Sequence, residues 1–193
     1  FIDSFIERYP QFLPRKEDLP TTIFKTPVNK LVKLFFFLLK GPSSEVRKSI
    51  KILTRITSPD EIFNQETPPG KFLYQRFEQI NEKYEHLLEQ AQKEVTSGKL
   101  FIFNYTEDHW SFTANLANEL TALYPQKVIL IVRKKSGEMK CSIRAGVPIL
   151  EPLQRALVGV QGYGGGHPNA CGAVIKEEDW IQFLENLKTE LKK

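Results

Sequence analysis

The chain has 193 residues, of which 41% are hydrophobic and 26% are charged, with 11 glycines and 12 prolines. This composition excludes collagen-like, low-complexity and wholly disordered proteins, and the length fits one ordinary domain or two small ones. A net charge of +4 admits an acidic partner such as nucleic acid but does not require one.

The cysteines and the apolar runs indicate where the protein works. Cys141 and Cys171 are too few for a disulfide framework or a structural zinc site, which favours a reducing, cytoplasmic compartment. The longest apolar run, Leu34 to Leu39, is far shorter than the roughly 20 residues that cross a bilayer, so we expect no membrane partner. Because Phe1 is neither an initiator methionine nor part of a signal pattern, we interpret the chain as a fragment or a processed product.

Residues 1–97 are predicted to be helical. Thr26 and Pro27 are typical of a helix start, and a second helix is predicted to be capped by Ser43 or Ser44. The second helix carries apolar residues on one face and cations on the others; the cations are Arg47, Lys48, Lys51 and Arg55. Such a basic face either contacts phosphates or is merely solvated, and on pattern alone solvation is the commoner case.

A break at Pro68-Pro69-Gly70 precedes the longest periodic segment, a helix predicted from Lys71 to Val95. We expect this helix to link the two halves of the chain. His86 falls among its polar positions and is predicted to be a surface residue.

After Gly98 the hydrophobic period changes from helical to strand-like. Leu100 to Tyr105 and Lys127 to Val132 are predicted to be strands covered on both faces, with a crossover helix from Ser111 to Leu123 between them. The other predicted elements are a hairpin turn at Ser136-Gly137, a strand over Met139 to Arg144, a helix over Ile149 to Val158, a glycine-rich loop over Gly159 to Gly166, a strand over Ala170 to Lys176 and a final amphipathic helix. The fold class is α/β: a helical amino-terminal region and long linker helix, followed by a small mixed-sheet α/β domain over residues 98–193.

The segment from Gly162 to Gly172 is the most informative for function. Gly164, Gly165 and Gly166 let the backbone approach a ligand and can direct N–H groups at an anion, while His167 adds a donor at the rim. A tight turn with a structural histidine explains the same residues and is the commoner case. The segment is neither a Walker loop nor a GxGxxG motif opening a helix.

Ser142 and Arg144 share the polar face of a predicted strand, so both can reach one ligand. A guanidinium binds phosphate in a bidentate geometry, which makes Arg144 a candidate phosphate clamp. A structural salt bridge to a nearby carboxylate is the alternative.

These motifs together resemble a known family. Ser142-Ile143-Arg144, followed by Gly164-Gly165-Gly166-His167-Pro168 with Ala170 and Gly172, is similar to the DHH-associated domain of the DHH phosphoesterases. The nearest members are RecJ-like single-strand nucleases, and the predicted element order matches them from Leu100 to Lys193.

The resemblance implies a site between two domains. In the family, an amino-terminal DHH domain holds manganese or magnesium ions, and the associated domain binds the substrate. Arg144 and His167 would contact substrate phosphates, Gly164, Gly165 and Gly166 would let a phosphate approach, and Ser142 would assist.

The sequence also departs from the family. The DHH tripeptide and its partner aspartate motifs are absent from the 193 residues, so we expect no catalytic residue and no metal ligand in this chain. The metal ligands would lie in a separate amino-terminal domain. Cys171 stands where the family often has alanine, and the glycine pair that often follows the first strand is missing around His109-Trp110-Ser111.

The sequence thus predicts the carboxyl-terminal, substrate-binding portion of an archaeal-type RecJ-like nuclease, inactive by itself. Its expected partners are single-stranded DNA or RNA, or short oligonucleotides, and the amino-terminal DHH domain; the replicative GINS complex is a partner by analogy, which would place the protein in DNA replication or repair. The alternatives are a phosphodiesterase portion for oligonucleotides or cyclic dinucleotides, a non-catalytic scaffold, or a tRNA-binding domain like that of alanyl-tRNA synthetases. A purely structural glycine loop, with protein binding by the basic helices, also remains open.

Overall fold

A computed structural model describes residues 2–15, 18–106 and 109–192. The chain divides into two compact units, residues 1–86 and residues 87–193. No helix in these described ranges combines the length and the apolar character needed to cross a membrane.

The amino-terminal unit is helical, as predicted. Its helices are α1 (Ile2–Arg8), α2 (Leu19–Lys25), α3 (Val28–Leu38), α4 (Ser43–Leu53), α5 (Pro59–Phe63) and the first part of α6 (Pro68–Lys93). Leu34, Phe37, Leu73 and Phe77 are completely buried, and the rings of Phe37 and Phe77 stack with their centroids 6.1 Å apart. Helical spacing in α3 and α6 brings these side chains onto one face of each helix, which builds the core of this unit.

The starts of the helices differ from the predictions in this half. Pro68-Pro69-Gly70 is not a break but the first turn of α6, where prolines fit because the first N–H groups need no helical partner. Gly70 is required there, since a Cβ would lie 2.2 Å from the Glu61 carbonyl oxygen. Thr26 does not cap α3, because its hydroxyl donates to the Thr22 carbonyl, and no side chain caps α4, which follows Pro42.

The carboxyl-terminal unit is a sheet with helices on its faces. Its elements are β1 (Leu100–Tyr105), α7 (Thr113–Leu123), β2 (Val128–Lys135), β3 (Glu138–Arg144), α8 (Leu150–Ala156), β4 (Gly162–His167), β5 (Ala170–Lys176), a 3₁₀ turn (Glu177–Asp179) and α9 (Trp180–Glu190). The strand order is β1-β2-β3-β5-β4; β1 and β2 are parallel, and every other pair is antiparallel. Ser136 and Gly137 form the predicted β2–β3 turn, and both have positive φ, as a tight hairpin turn needs.

The larger core lies under one face of this sheet. Leu130, Cys141 and Ile175 point to that face and pack with residues of α8 and α9 such as Leu153 and Phe183. Strand β2 is covered on both faces, whereas in β1 buried and less buried residues alternate, because β1 is an edge strand with one covered face. The prediction that both strands are covered on both faces is therefore wrong for β1.

The glycine-rich segment is a strand rather than the predicted loop. Residues Gly162 to His167 pair with β5 along their whole length, with Gly162 opposite Ile175 and His167 opposite Ala170. Glycine has a poor intrinsic preference for strands, so this assignment depends on the pairing with β5 and not on the local sequence.

A buried hydrogen bond joins β1 to the start of α7. The Phe112 N–H donates to the Tyr105 hydroxyl at 2.7 Å, and burial raises the pKa of Tyr105. Tyr105→Phe leaves that buried N–H unsatisfied, so we expect a loss of about 1–3 kcal/mol in the free energy of unfolding. Urea unfolding followed by tryptophan fluorescence measures it, since both tryptophans, Trp110 and Trp180, lie in this unit. An unchanged midpoint and slope would show that this bond does not stabilise α7.

Candidate phosphate-binding surface

The sheet register brings Arg144 and His167 into one row. Arg144 on β3 pairs with Ala170 on β5, and Ala170 pairs with His167 on β4. Paired residues point to the same face of a sheet, and strands lie about 4.8 Å apart, so roughly 10 Å separates the backbones of Arg144 and His167. Two donors at this separation can flank one ligand.

The neighbouring row forms an open floor between them. Ser142 pairs with Gly172, and Gly172 pairs with Gly165, on the same face as Arg144 and His167. A Cβ on Gly165 would meet no atom within 4 Å, and one on Gly172 would meet only the Cys141 carbonyl oxygen at 3.5 Å. We call Gly165 and Gly172 the glycine floor; a ligand can reach the backbone there without meeting a side chain.

Arg144 is held by neutral acceptors. Its Nε donates to Asn118 Oδ1 at 2.8 Å, and its Nη1 donates to the carbonyl oxygens of Ile143 and Cys171 at 2.9 and 3.1 Å. No carboxylate forms an ion pair with Arg144 in the part of the chain that the structure describes, and Nη2 makes no hydrogen bond there, so the salt-bridge alternative has no support. Burial lowers the pKa of Arg144 from its usual range, but a guanidinium still keeps its charge.

His167 and Ser142 are open to a ligand in different degrees. His167 is exposed, and its ring makes no hydrogen bond within the described ranges. Ser142 is 8% exposed, and its hydroxyl likewise has no hydrogen-bond partner among the residues described. Both side chains therefore keep their hydrogen-bonding capacity.

The remaining glycines of the motif belong to the opposite face. A Cβ on Gly164 would lie 2.9 Å from the Gly172 carbonyl oxygen and 3.2 Å from Leu157, and one on Gly166 would lie 2.4 Å from the Ala170 carbonyl oxygen. Close packing explains these two glycines, whereas Gly165 faces open space. The site residues predicted from the sequence are thus brought together, with Gly164 and Gly166 behind the surface rather than on it.

The cysteines also face the core. Burial raises the pKa of Cys141 to about 12 and raises that of Cys171, whose Sγ donates to the His167 carbonyl oxygen at 3.2 Å. Neither thiol is a thiolate near neutral pH, so neither supplies a nucleophile.

Sequence reasoning misses two residues near this surface. Tyr163 lies on the same face as Gly165 and His167 and is 71% exposed, while Asn118 on α7 orients Arg144. Period-two alternation along Gly162 to His167 would have indicated Tyr163, had the segment been assigned as a strand. Asn118 has no local signal, because α7 meets β3 only in the folded unit.

Metal binding has no basis in the described residues. No group of three His, Cys, Asp or Glu side chains there could hold a metal ion. The manganese or magnesium implied by the family therefore does not fit this chain, and we derive no metal-dependent step from it.

Comparison with known proteins gives the class. The DHHA1 domain family matches residues 98–193, which include the whole strand and helix arrangement from β1 to α9. A search of curated proteins finds no match. The carboxyl-terminal half of this chain is a DHHA1 domain, the DHH-associated domain predicted from its motifs.

Solved structures show the same fold at low sequence identity. RecJ from Thermus thermophilus in complex with Mn²⁺ has a TM-score of 0.50 and 16% identity over 65% of this chain and 20% of RecJ. The DHH domain of a protein described as a member of a ribosomal protein family has a TM-score of 0.52 and 19% identity over 86% of this chain and 42% of its own. The pGpG-specific phosphodiesterase PggH from Vibrio cholerae has a TM-score of 0.49 and 20% identity over 70% of this chain and 46% of PggH. The chain thus spans less than half the length of each of these three proteins.

Proposed function

We propose that this chain is the substrate-binding portion of a DHH-family phosphoesterase of the RecJ-like type, and that it binds the phosphates of single-stranded nucleic acid. Residues 98–193 form the binding domain in this proposal, and residues 1–97 form the helical region and the linker helix. The observation that carries it is the row of Arg144 and His167 on either side of the glycine floor.

The chemistry of this surface suits a phosphodiester. Arg144 supplies a fixed positive charge whose Nη2 is unused by the described residues, and His167 supplies an exposed imidazole that donates when protonated. Ser142 lies one row away and can donate its hydroxyl to the same ligand. Tyr163 offers an exposed ring on which a base can stack beside the phosphate.

Hydrolysis itself is assigned to groups outside this chain. The DHH motifs that would bind manganese or magnesium are absent from its sequence, so the proposed role here is to bind and position the strand. A location in the cytoplasm, a role in DNA replication or repair, an archaeal-type relationship and a GINS partner remain parts of the proposal that follow from family resemblance alone.

His167→Ala tests the proposal. We expect the affinity for a 5′-phosphorylated single-stranded 12-mer to fall about tenfold, because one charge-assisted hydrogen bond to phosphate is lost. Fluorescence anisotropy at fixed salt measures it, with His86→Ala as the matched control, since His86 is an exposed histidine in the other unit.

Three results would contradict this proposal or narrow it. Equal binding by both variants would exclude His167 from the site. A dinucleotide that binds more tightly than the 12-mer would favour the short-oligonucleotide phosphodiesterase. If the unsubstituted chain binds neither ligand, the non-catalytic scaffold becomes the better explanation.

A further inference from the structure

The basic helix of the amino-terminal unit carries an unneutralised row of cations. Arg47, Lys51 and Arg55 are spaced four residues apart, so they lie one above another along α4 and the turn that continues it. All three are exposed. Within the described residues none of them forms an ion pair or a side-chain hydrogen bond, and we call them the basic row.

The local charge balance leaves this row positive. Residues 43–56 contain four cations and a single carboxylate, Glu45, in a chain whose total excess is only +4. Glu45 is already engaged, because Arg76 Nη1 donates to its Oε2 at 2.7 Å. Most of the excess charge of the protein is therefore concentrated on one short stretch of surface, which attracts a polyanion.

A groove adjoins the basic row between α4 and α6. It measures about 330 Å³, and its lining residues are Glu45, Lys48, Phe72, Gln75, Arg76 and Gln79. The Lys48 ammonium lies 4.3 Å from the centre of the Phe72 ring, and the Arg76 side chain is only 10% exposed, with a buried Nε that has no hydrogen-bond partner in the ranges described. Cations, two side-chain amides and an aromatic ring suit a nucleotide better than a lipid chain.

We propose that the basic row and this groove bind the phosphate backbone of single-stranded nucleic acid, as a contact surface separate from Arg144 and His167. Successive cations of the row are about 6 Å apart along the helix axis, a step comparable to that between neighbouring phosphates of a single strand. A dinucleotide has too few phosphates to engage the whole row, so this surface favours longer strands. The proposal does not depend on the function proposed for the carboxyl-terminal unit.

The test removes the row without disturbing the helix. In the triple variant Arg47→Gln, Lys51→Gln, Arg55→Gln, glutamine retains good helix propensity. We expect this variant to bind a fluorescein-labelled 20-nucleotide thymidine strand at least ~tenfold more weakly at 0.1 M salt, and its plot of log affinity against log salt to be less steep by about 2. Far-UV circular dichroism confirms that the helical content is retained.

The matched control removes the same charge elsewhere. Lys25→Gln, Lys188→Gln, Lys192→Gln changes three exposed lysines outside the row and the groove, and it should leave both the affinity and the salt slope almost unchanged. Equal losses in the two triple variants would reduce the effect to net charge and overturn the proposal. So would an unchanged affinity for the strand, or a row that proves necessary only for binding to phosphatidylserine vesicles.

The two proposed surfaces can fail separately. A 5′-phosphorylated dinucleotide reports on Arg144 and His167 alone, and the basic-row variant should bind it with unchanged affinity. Loss of dinucleotide binding in that variant would contradict the separation of the two surfaces.

Discussion

Gly166→Ala is expected to destabilise the carboxyl-terminal unit by about 3 kcal/mol or more, whereas Gly165→Ala should change its stability little. Gly166 has a φ of 143°, which side chains rarely adopt, and its Cβ would lie 2.4 Å from the Ala170 carbonyl oxygen. Gly165, the preceding residue, has open space where its Cβ would be. The two changes are chemically identical, so the difference isolates the face of the strand on which each glycine lies.

Urea unfolding followed by tryptophan fluorescence separates them, because both tryptophans report on this unit alone. Gly165→Val adds a functional readout: the valine should leave the unit folded but cover the glycine floor, and so weaken binding of a 5′-phosphorylated dinucleotide. Equal stability of Gly166→Ala and Gly165→Ala would contradict the packing of β4 against β5. Full binding by Gly165→Val would show that the floor does not contact the ligand.

The sequence predicts elements well where hydrophobic spacing is regular. Leu34 and Phe37, or Phe183 and Leu187, recur at helical spacing, and the continuous apolar run of β2 corresponds to its burial on both faces. These patterns are local, because the side chains that an element buries are written into its own residues.

The errors occur where the deciding interaction is distant in sequence. Thr26 has the right residue type for a cap, yet its hydroxyl bonds back to Thr22, and the prolines of α6 begin a helix because Glu61 and Thr67 pack against its first turn. The segment from Gly162 to His167 is dominated by glycine, which disfavours strands, and it is a strand because β5 pairs with it.

The candidate site shows the same division. Ser142 and Arg144 could be placed on one face from alternation, and His167 could be identified from its motif. Their common row could not be predicted, because it depends on the register of β3, β5 and β4. That register also explains why one member of the glycine triplet faces the open surface while its two neighbours face the core.

Arg144→Lys should weaken binding of a 5′-phosphorylated dinucleotide about tenfold, and Arg144→Gln should weaken it up to ~100-fold, a loss of about 1–3 kcal/mol. The guanidinium spends Nε on Asn118 and Nη1 on two carbonyl oxygens, so its plane is fixed and a further N–H group stays available. A lysine ammonium keeps the charge but cannot satisfy those acceptors and hold a phosphate in a fixed orientation at once.

Isothermal titration calorimetry measures both variants, with Arg155→Lys as the matched control, because Arg155 is an exposed arginine of the same unit whose partners are the carboxylates of Glu151 and Glu190. Asn118→Ala then separates orientation from charge: it leaves the cation in place, so any loss of affinity measures the value of holding the guanidinium in its plane. If Arg144→Lys binds as tightly as the unsubstituted chain, only the charge matters at this position. If Arg144→Gln also binds as tightly, Arg144 serves to join β3 to α7 and the phosphate contact is wrong.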